Sequence, residues 1–226
     1  MRFRIDLKIF IFLILFYFTK QIELYSMIMI FAIVHELGHL LAGLLMGMKP
    51  EKVEIMPFGV SISFKINVSE YNKKIKKGNT LEIKKIIVAM AGPITNFIII
   101  LITYNLKLDL IKSMLIIYTN FLIMIFNLVP IYPLDGGRIL KGILHITFGK
   151  RKSEKYINTI SKITVIIIIA ISSILILYIQ NISIFLIDIY LGYLVIKEDL
   201  KYKNREEIYK KYLKIKWFNS KLILNI

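Results

Sequence analysis

Residues 34–40 read Val34-His35-Glu36-Leu37-Gly38-His39-Leu40, inside an apolar run from Met27 to Met46. A bilayer core needs about 20 apolar residues of helix, so the run predicts a membrane span. On a helix His35 and His39, four apart, project from one face, one turn apart. Neutral imidazoles at that spacing hold one zinc ion with bonds of ~2.0–2.1 Å. Glu36 follows the first histidine, where it is placed to take a proton from a water that the ion activates. The competing explanation is a chance match. Against it stands the cost of inserting three ionisable groups in a membrane-length run.

Composition agrees with a membrane protein. Hydrophobic residues make up 57% of the 226, against roughly 45–50% in soluble domains. The formal charge of +16 suggests nucleic acid at first sight. Its distribution says otherwise: basic residues cluster between apolar runs, as suits lipid headgroups and topology. No RRM, KH or zinc-finger pattern is present, so no nucleic-acid partner is expected. There is no cysteine, which excludes disulfides and leaves zinc only nitrogen and oxygen ligands. The basic start and apolar run at the N-terminus resemble a signal peptide. The run ends at Thr19-Lys20-Gln21-Ile22-Glu23 without a small-residue cleavage site, so it reads as a retained helix.

Six spans are expected: Ile5 to Phe18, Ser26 to Met46, Ile86 to Leu106, Leu108 to Val129, Ile163 to Ile179 and Ile182 to Ile196. Gln180-Asn181 makes the last two a tight hairpin, and Asp188 interrupts the sixth. With both termini on one side, that side receives 28 Lys and Arg and the other only Lys20, Lys107 and Lys112. The positive-inside rule then places both termini in the cytoplasm of a multi-pass protein.

Between the second and third spans, Val53, Ile55, Val60, Ile62, Phe64 and Ile66 alternate with polar residues, in strand fashion. Pro57-Phe58-Gly59 reads as their turn, giving a β-hairpin beside the metal helix. Its edge either holds an extended peptide by strand addition or merely plugs space between helices. Ser69 to Thr80 reads as a lysine-rich loop. In the third span Ala91-Gly92-Pro93-Ile94-Thr95-Asn96 interrupts the apolar run, read chiefly as a packing kink, with Asn96 facing the bundle interior.

Catalytic zinc keeps three protein ligands and one open position. His145 is the one remaining histidine, and reads as an interfacial surface residue. Asp135 competes with it, in Asn127-Leu-Val-Pro130-Ile-Tyr-Pro133-Leu-Asp135-Gly136-Gly137-Arg138. Two prolines and two glycines are expected to break any helix here, and broken backbone at membrane depth lines a cavity. Asp135 is therefore favoured over His145. Its alternative is a loop cap paired with Arg138.

These residues resemble a family. HELGH in one span, AGP-x-x-N in the next and N-x-x-P-x-x-P-L-D-G-G-R after a later one are similar to the site-2 proteases, peptidase family M50. The motifs cover about residues 26 to 145. Met56-Pro57-Phe58-Gly59, the stretch 126–138 and the basic tail resemble the subgroup of stage IV sporulation protein FB. The resemblance implies an intramembrane zinc metalloprotease with His35, His39 and Asp135 as ligands, Glu36 as general base, and Asn127 near the scissile peptide or its oxyanion. It implies an all-α membrane fold of six transmembrane helices with a three-helix metalloprotease core and a small membrane-associated β-hairpin. Residues 1–200 would form that domain, and 201–226 a basic cytoplasmic tail. The implied partners are the lipid bilayer, a membrane-associated protein substrate such as the sigma-K precursor, and inhibitory membrane proteins resembling stage IV sporulation protein FA and BofA. The sporulation relatives usually carry a C-terminal nucleotide-binding CBS domain. Here a basic tail follows the last span and there is no PDZ insertion, so neither regulation through ATP nor the family's docking of the sigma-K precursor is carried over. Two alternatives stand beside this reading: the same protease acting on an anti-sigma factor, or an ion transporter using the intramembrane His/Glu/Asp cluster. A transporter would usually show repeats of broken helices, which this sequence lacks.

Overall fold

The computed structural model describes residues 2–18, 20, 22–56, 59–65, 75–106, 109–179 and 182–224. A short strand, β1 (Arg2–Ile5), leads into α1 (Lys8–Phe18) and α2 (Ile22–Leu45). Strands β2 (Lys49–Met56) and β3 (Gly59–Lys65) follow, then α3 (Ile75–Asn105) and α4 (Leu110–Leu128). Helices α5 (Asp135–Phe148), α6 (Lys150–Ile179) and α7 (Ile182–Leu224) complete the chain. Among the described residues, four helical stretches are long and apolar enough to cross a bilayer: Ile22–Leu45, Asn79–Asn105, Leu110–Leu128 and Lys150–Leu175. They correspond to the second to fifth expected spans. Helix α1 has 11 residues, about 16 Å of rise, roughly half a hydrocarbon core.

The bundle has an apolar outside, and polar side chains share its interior with apolar ones. Ile33, Leu37, Leu41 and Leu44 of α2, Phe97, Ile98 and Leu101 of α3, and Phe121 and Ile125 of α4 are exposed. Asn96, Thr119 and Asn120 are fully buried at 0%. Lipid tails solvate the first set, whereas buried amides and hydroxyls need partners that only other helices supply.

The expected hairpin is present, with Val53 opposite Ile62 and Ile55 opposite Val60 in an antiparallel pair. Its turn residues 57–58 lie outside the described residues. What the sequence did not announce is β1, which pairs in parallel with β2, Arg2 opposite Lys52 and Ile5 opposite Ile55. The sheet order is β1-β2-β3. Since β1 and β2 are joined by α1 and α2, this helix pair leaves the sheet and returns to it. Phe16 stacks on Tyr25 near the far end, ring centroids 4.7 Å apart. The N-terminus and the α2–α3 connection therefore lie at the same end of the molecule.

Helix α3 begins at Ile75, not at Ile86, so the described part of the expected loop, 75–80, is helical. It continues through Pro93. After α4 the chain is irregular from 129 to 134, with a cis Tyr132–Pro133 peptide. Gly136 and Gly137 do not break a helix, contrary to expectation; they lie in the first turn of α5. Their role is close approach: a Cβ on Gly136 would stand 2.1 Å from the Leu128 carbonyl oxygen, and one on Gly137 2.4 Å from the Tyr132 nitrogen.

The irregular segment is anchored by the outer helices. Ile131, 0% exposed, packs with Val165 of α6 and with Leu191 and Val195 of α7. The Tyr132 N–H donates to Ser161 Oγ at 3.0 Å. Helix α7 runs for 43 residues, so the expected sixth span and basic tail are one continuous helix. Lys162 to Asp199 (2.6 Å), Arg151 to Glu206 (3.4 Å) and Arg205 to Glu154 (3.4 Å) fasten it to α6. The expected Gln180-Asn181 turn lies outside the described residues.

Candidate metal centre

Helical spacing brings His35 and His39 to one face of α2, both 3% exposed. The joint after α4 then delivers Asp135, at the start of α5, to the same point from a hundred residues away. His35 Nε2 and His39 Nε2 each lie 3.0 Å from Asp135 Oδ2 and 3.1 Å from one another. Among the described residues this is the one cluster of His, Asp or Glu with such convergence. Zinc bonds of ~2.0–2.1 Å put neighbouring donors of a tetrahedron roughly 3.3 Å apart, so the triangle is close to the size of a zinc site.

The protonation pattern strengthens the fit. His39 Nδ1 lies 2.7 Å from the Val88 carbonyl oxygen, which can only accept, so Nδ1 carries the ring proton. The Gly92 N–H lies farther from the same nitrogen, at 3.3 Å. His35 Nδ1 faces Asn96 Oδ1 and donates to it. With the proton on Nδ1, each ring in its neutral form turns a bare Nε2 lone pair toward a carboxylate oxygen. Three acceptors about 3 Å apart with no hydrogen between them repel, and a cation at their centre removes the repulsion. A cysteine-free set of two imidazoles and one carboxylate matches the donors of a catalytic zinc site.

Gly92 completes the cradle. A Cβ there would stand 2.4 Å from His39 Nε2 and 2.5 Å from His35 Nε2. One turn away on the neighbouring face, a Cβ on Gly38 would stand 2.1 Å from Thr95 Oγ1, so α2 and α3 meet through glycine on both sides. The Ala91-Gly92-Pro93 stretch, read as a packing kink, thus serves the metal helix directly.

Glu36 Oε2 accepts the Ile62 N–H of β3 at 3.3 Å. The edge of β3 turned away from β2 therefore faces the carboxylate beside the metal helix. Phe64 of the same strand lies against α2, where a Cβ on Gly43 would meet its ring at 2.2 Å. Asp135 does not have to choose between metal and Arg138: Oδ2 faces the imidazoles while Oδ1 lies 3.6 Å from Arg138 Nη1. Asn127 donates from Nδ2 to the Ile123 carbonyl in its own helix at 3.0 Å. His145 is not an open surface histidine; it lies 3.5 Å from buried Glu82. A cavity of about 500 Å³ reaches His39, lined also by Ile62, Phe64, Glu82, Arg138 and His145 among others.

Sequence reasoning placed Asn96 in the bundle interior but missed its link to His35 and its partner Asn120. Asn96 Nδ2 donates to Asn120 Oδ1 at 2.9 Å, and Asn120 Nδ2 donates to the Ile116 carbonyl at 2.9 Å. A lone asparagine in an apolar run, as at 120, is the signal that was available.

Residues 24–112 and 108–171 match the model of peptidase family M50. The chain belongs to peptidase family M50. It is 32% identical over 146 residues to a zinc metalloprotease of Methanocaldococcus jannaschii, a match covering 62% of this chain and 39% of that protein. The chain thus spans well under half of that relative's length. Its fold is similar to the solved site-2 protease from Methanocaldococcus jannaschii, with a TM-score of 0.60 at 24% identity, over 86% of this chain and 88% of that one. The M50 membership bears out the family resemblance seen in the three motifs.

Proposed function

We propose that this M50 protein is an intramembrane zinc metalloprotease of the site-2 type. The observation that carries this reading is the convergence of His35, His39 and Asp135 on one point, next to Glu36. Zinc held there supplies Lewis acidity, which polarises a peptide carbonyl and acidifies water. Glu36 takes the proton of the attacking water and passes it to the leaving amine. Asn127, at the end of α4, would donate to the oxyanion once released from the Ile123 carbonyl. The cavity reaching His39 from Lys85, Arg138 and Lys141 is the water route to the site.

A helical substrate has its carbonyls tied up in its own hydrogen bonds, so it must unwind before hydrolysis. The Ile62 edge of β3 offers a place for the unwound strand beside Glu36. Six membrane crossings with both termini cytoplasmic fit the 28-to-3 division of basic residues, and β1 at the β2 end fits a cytoplasmic N-terminus. For the substrate we favour a membrane-associated sporulation sigma factor precursor of the sigma-K type, with inhibitory partners resembling stage IV sporulation protein FA and BofA. The resemblance of residues 56–59 and 126–138 to the sporulation subgroup supports this choice.

The test is co-expression of the full chain, or its Glu36→Gln variant, with a sigma-K-type precursor and separately with an anti-sigma factor. Shortening of the precursor by wild type alone is expected, with zinc content equal in both proteins. Cleavage by the Glu36→Gln variant refutes the role of Glu36. Cleavage of the anti-sigma factor only refutes the sporulation substrate and leaves the protease.

A further inference from the structure

We infer that Asn120 is a positioning residue that sets which nitrogen of His35 carries the proton, and so whether His35 can bind zinc at all; this rests on the zinc reading of the site. The direction of the relay is fixed at its far end. The Ile116 carbonyl can only accept, so the Asn120 atom 2.9 Å from it is the amide nitrogen. The Asn120 oxygen must then face Asn96, and it can only accept. That makes the Asn96 atom 2.9 Å away its amide nitrogen and turns the Asn96 oxygen toward His35. An oxygen there demands a proton on His35 Nδ1, which in the neutral ring leaves Nε2 with a free lone pair aimed at Asp135 and His39. Polarity is thus transmitted from a backbone carbonyl of α4, through α3, to the metal face of α2. Asn96 and Asn120 are 0% exposed and His35 3%, so no water competes.

Without Asn120 the Asn96 amide loses its reason to point one way. Flipped, it presents NH₂ to Nδ1, draws the proton to Nε2 and places a hydrogen where the metal belongs. The structure thus distinguishes Asn96, which touches the ligand, from Asn120, which tells Asn96 how to stand. An aspartate at 96 has two acceptor oxygens and no wrong orientation, so it should make Asn120 dispensable.

The experiment measures zinc affinity of the full chain in detergent by chelator competition, for wild type, Asn120→Leu, and Asn120→Leu combined with Asn96→Asp. Loss of affinity of about 10- to 100-fold in the single variant, recovered in the double, is the expected result. In parallel, ¹⁵N-histidine spectra of the metal-free protein at alkaline pH, where the rings are neutral, report the tautomer directly, and with three histidines in the chain they are readily assigned. Wild-type His35 should carry its proton on Nδ1, and the Asn120→Leu variant should show both tautomers. A wild-type Nε2–H signal for His35 overturns the inference even if the variant fails to fold. So does an Asn120→Leu protein with wild-type affinity and an unmixed Nδ1–H signal. Wild-type protein that binds no zinc would refute the metal reading alone, since the tautomer measurement needs no metal.

Discussion

A methyl group at position 92 would occupy the space that the two ligand nitrogens share, 2.4 and 2.5 Å away. Gly92→Ala is therefore expected to push the imidazoles apart and lower zinc content below about a tenth of wild type, as read by metal analysis of the purified protein. Asp135→Asn keeps shape but replaces an anionic donor by an amide. Zinc occupancy should fall at least tenfold while the far-ultraviolet spectrum, dominated by helix, stays as in wild type. The HELGH spacing made His35, Glu36 and His39 legible because helical periodicity converts sequence distance into position. Asp135 was legible as a candidate because an acid among prolines and glycines has no reason to sit in lipid. Val88 O, Gly92 as a metal-site wall and Asn120 were not legible. Each acts across helices, and the contact depends on the rotation of α3 and α4 about their own axes.

The segment between α4 and α5 shows how an element far from the metal governs it. Ile131 is held by α6 and α7, and it lies four residues before the ligand. Ile131→Ala should cost about 2–5 kcal/mol of stability, by analogy with buried truncations, and should also weaken zinc binding. Thermal unfolding and chelator competition on the same sample check both. The α6–α7 pairing itself depends on Asp199. Lys162, hydrogen-bonded to it, with Asn158 and Lys203 beside it, holds this carboxyl well below the usual carboxylate range. A depressed folded-state value stabilises the fold above the unfolded value of about 3.9, and the contribution is lost only as pH falls through the lower, folded value. The difference in melting temperature between wild type and Asp199→Asn should therefore be flat from pH 5 to 8. A difference that vanishes on raising the pH to 8 would contradict the pairing. The strand pattern of 53–66 was readable by its alternation, whereas β1 was not. Four residues carry too little pattern, and its partner lies 50 positions on.

For the molecule as a whole, charge and hydropathy predict an orientation that the absence of cysteine makes easy to test. Single cysteines at Arg4 and Lys203 should label from the cytoplasmic side, and one at Lys20 only from the opposite side. Labelling of Arg4→Cys and Lys20→Cys from the same side would refute the α1–α2 return. Hydrolysis by the purified chain should stop with a chelator and resume with added zinc. The sequence by itself determined that the chain carries helices apolar and long enough to cross a membrane and which two imidazoles share a helix face, and its basic loops predict an orientation. These follow from local composition and period, and bilayer physics applies them without knowing the fold. Only the tertiary structure decided that Asp135 reaches both rings through one oxygen, that Gly92 walls the site, and that Asn96 and Asn120 sit behind His35. Such contacts join residues up to a hundred positions apart, and packing geometry, which no local pattern encodes, chooses among the many pairings a chain of this composition allows.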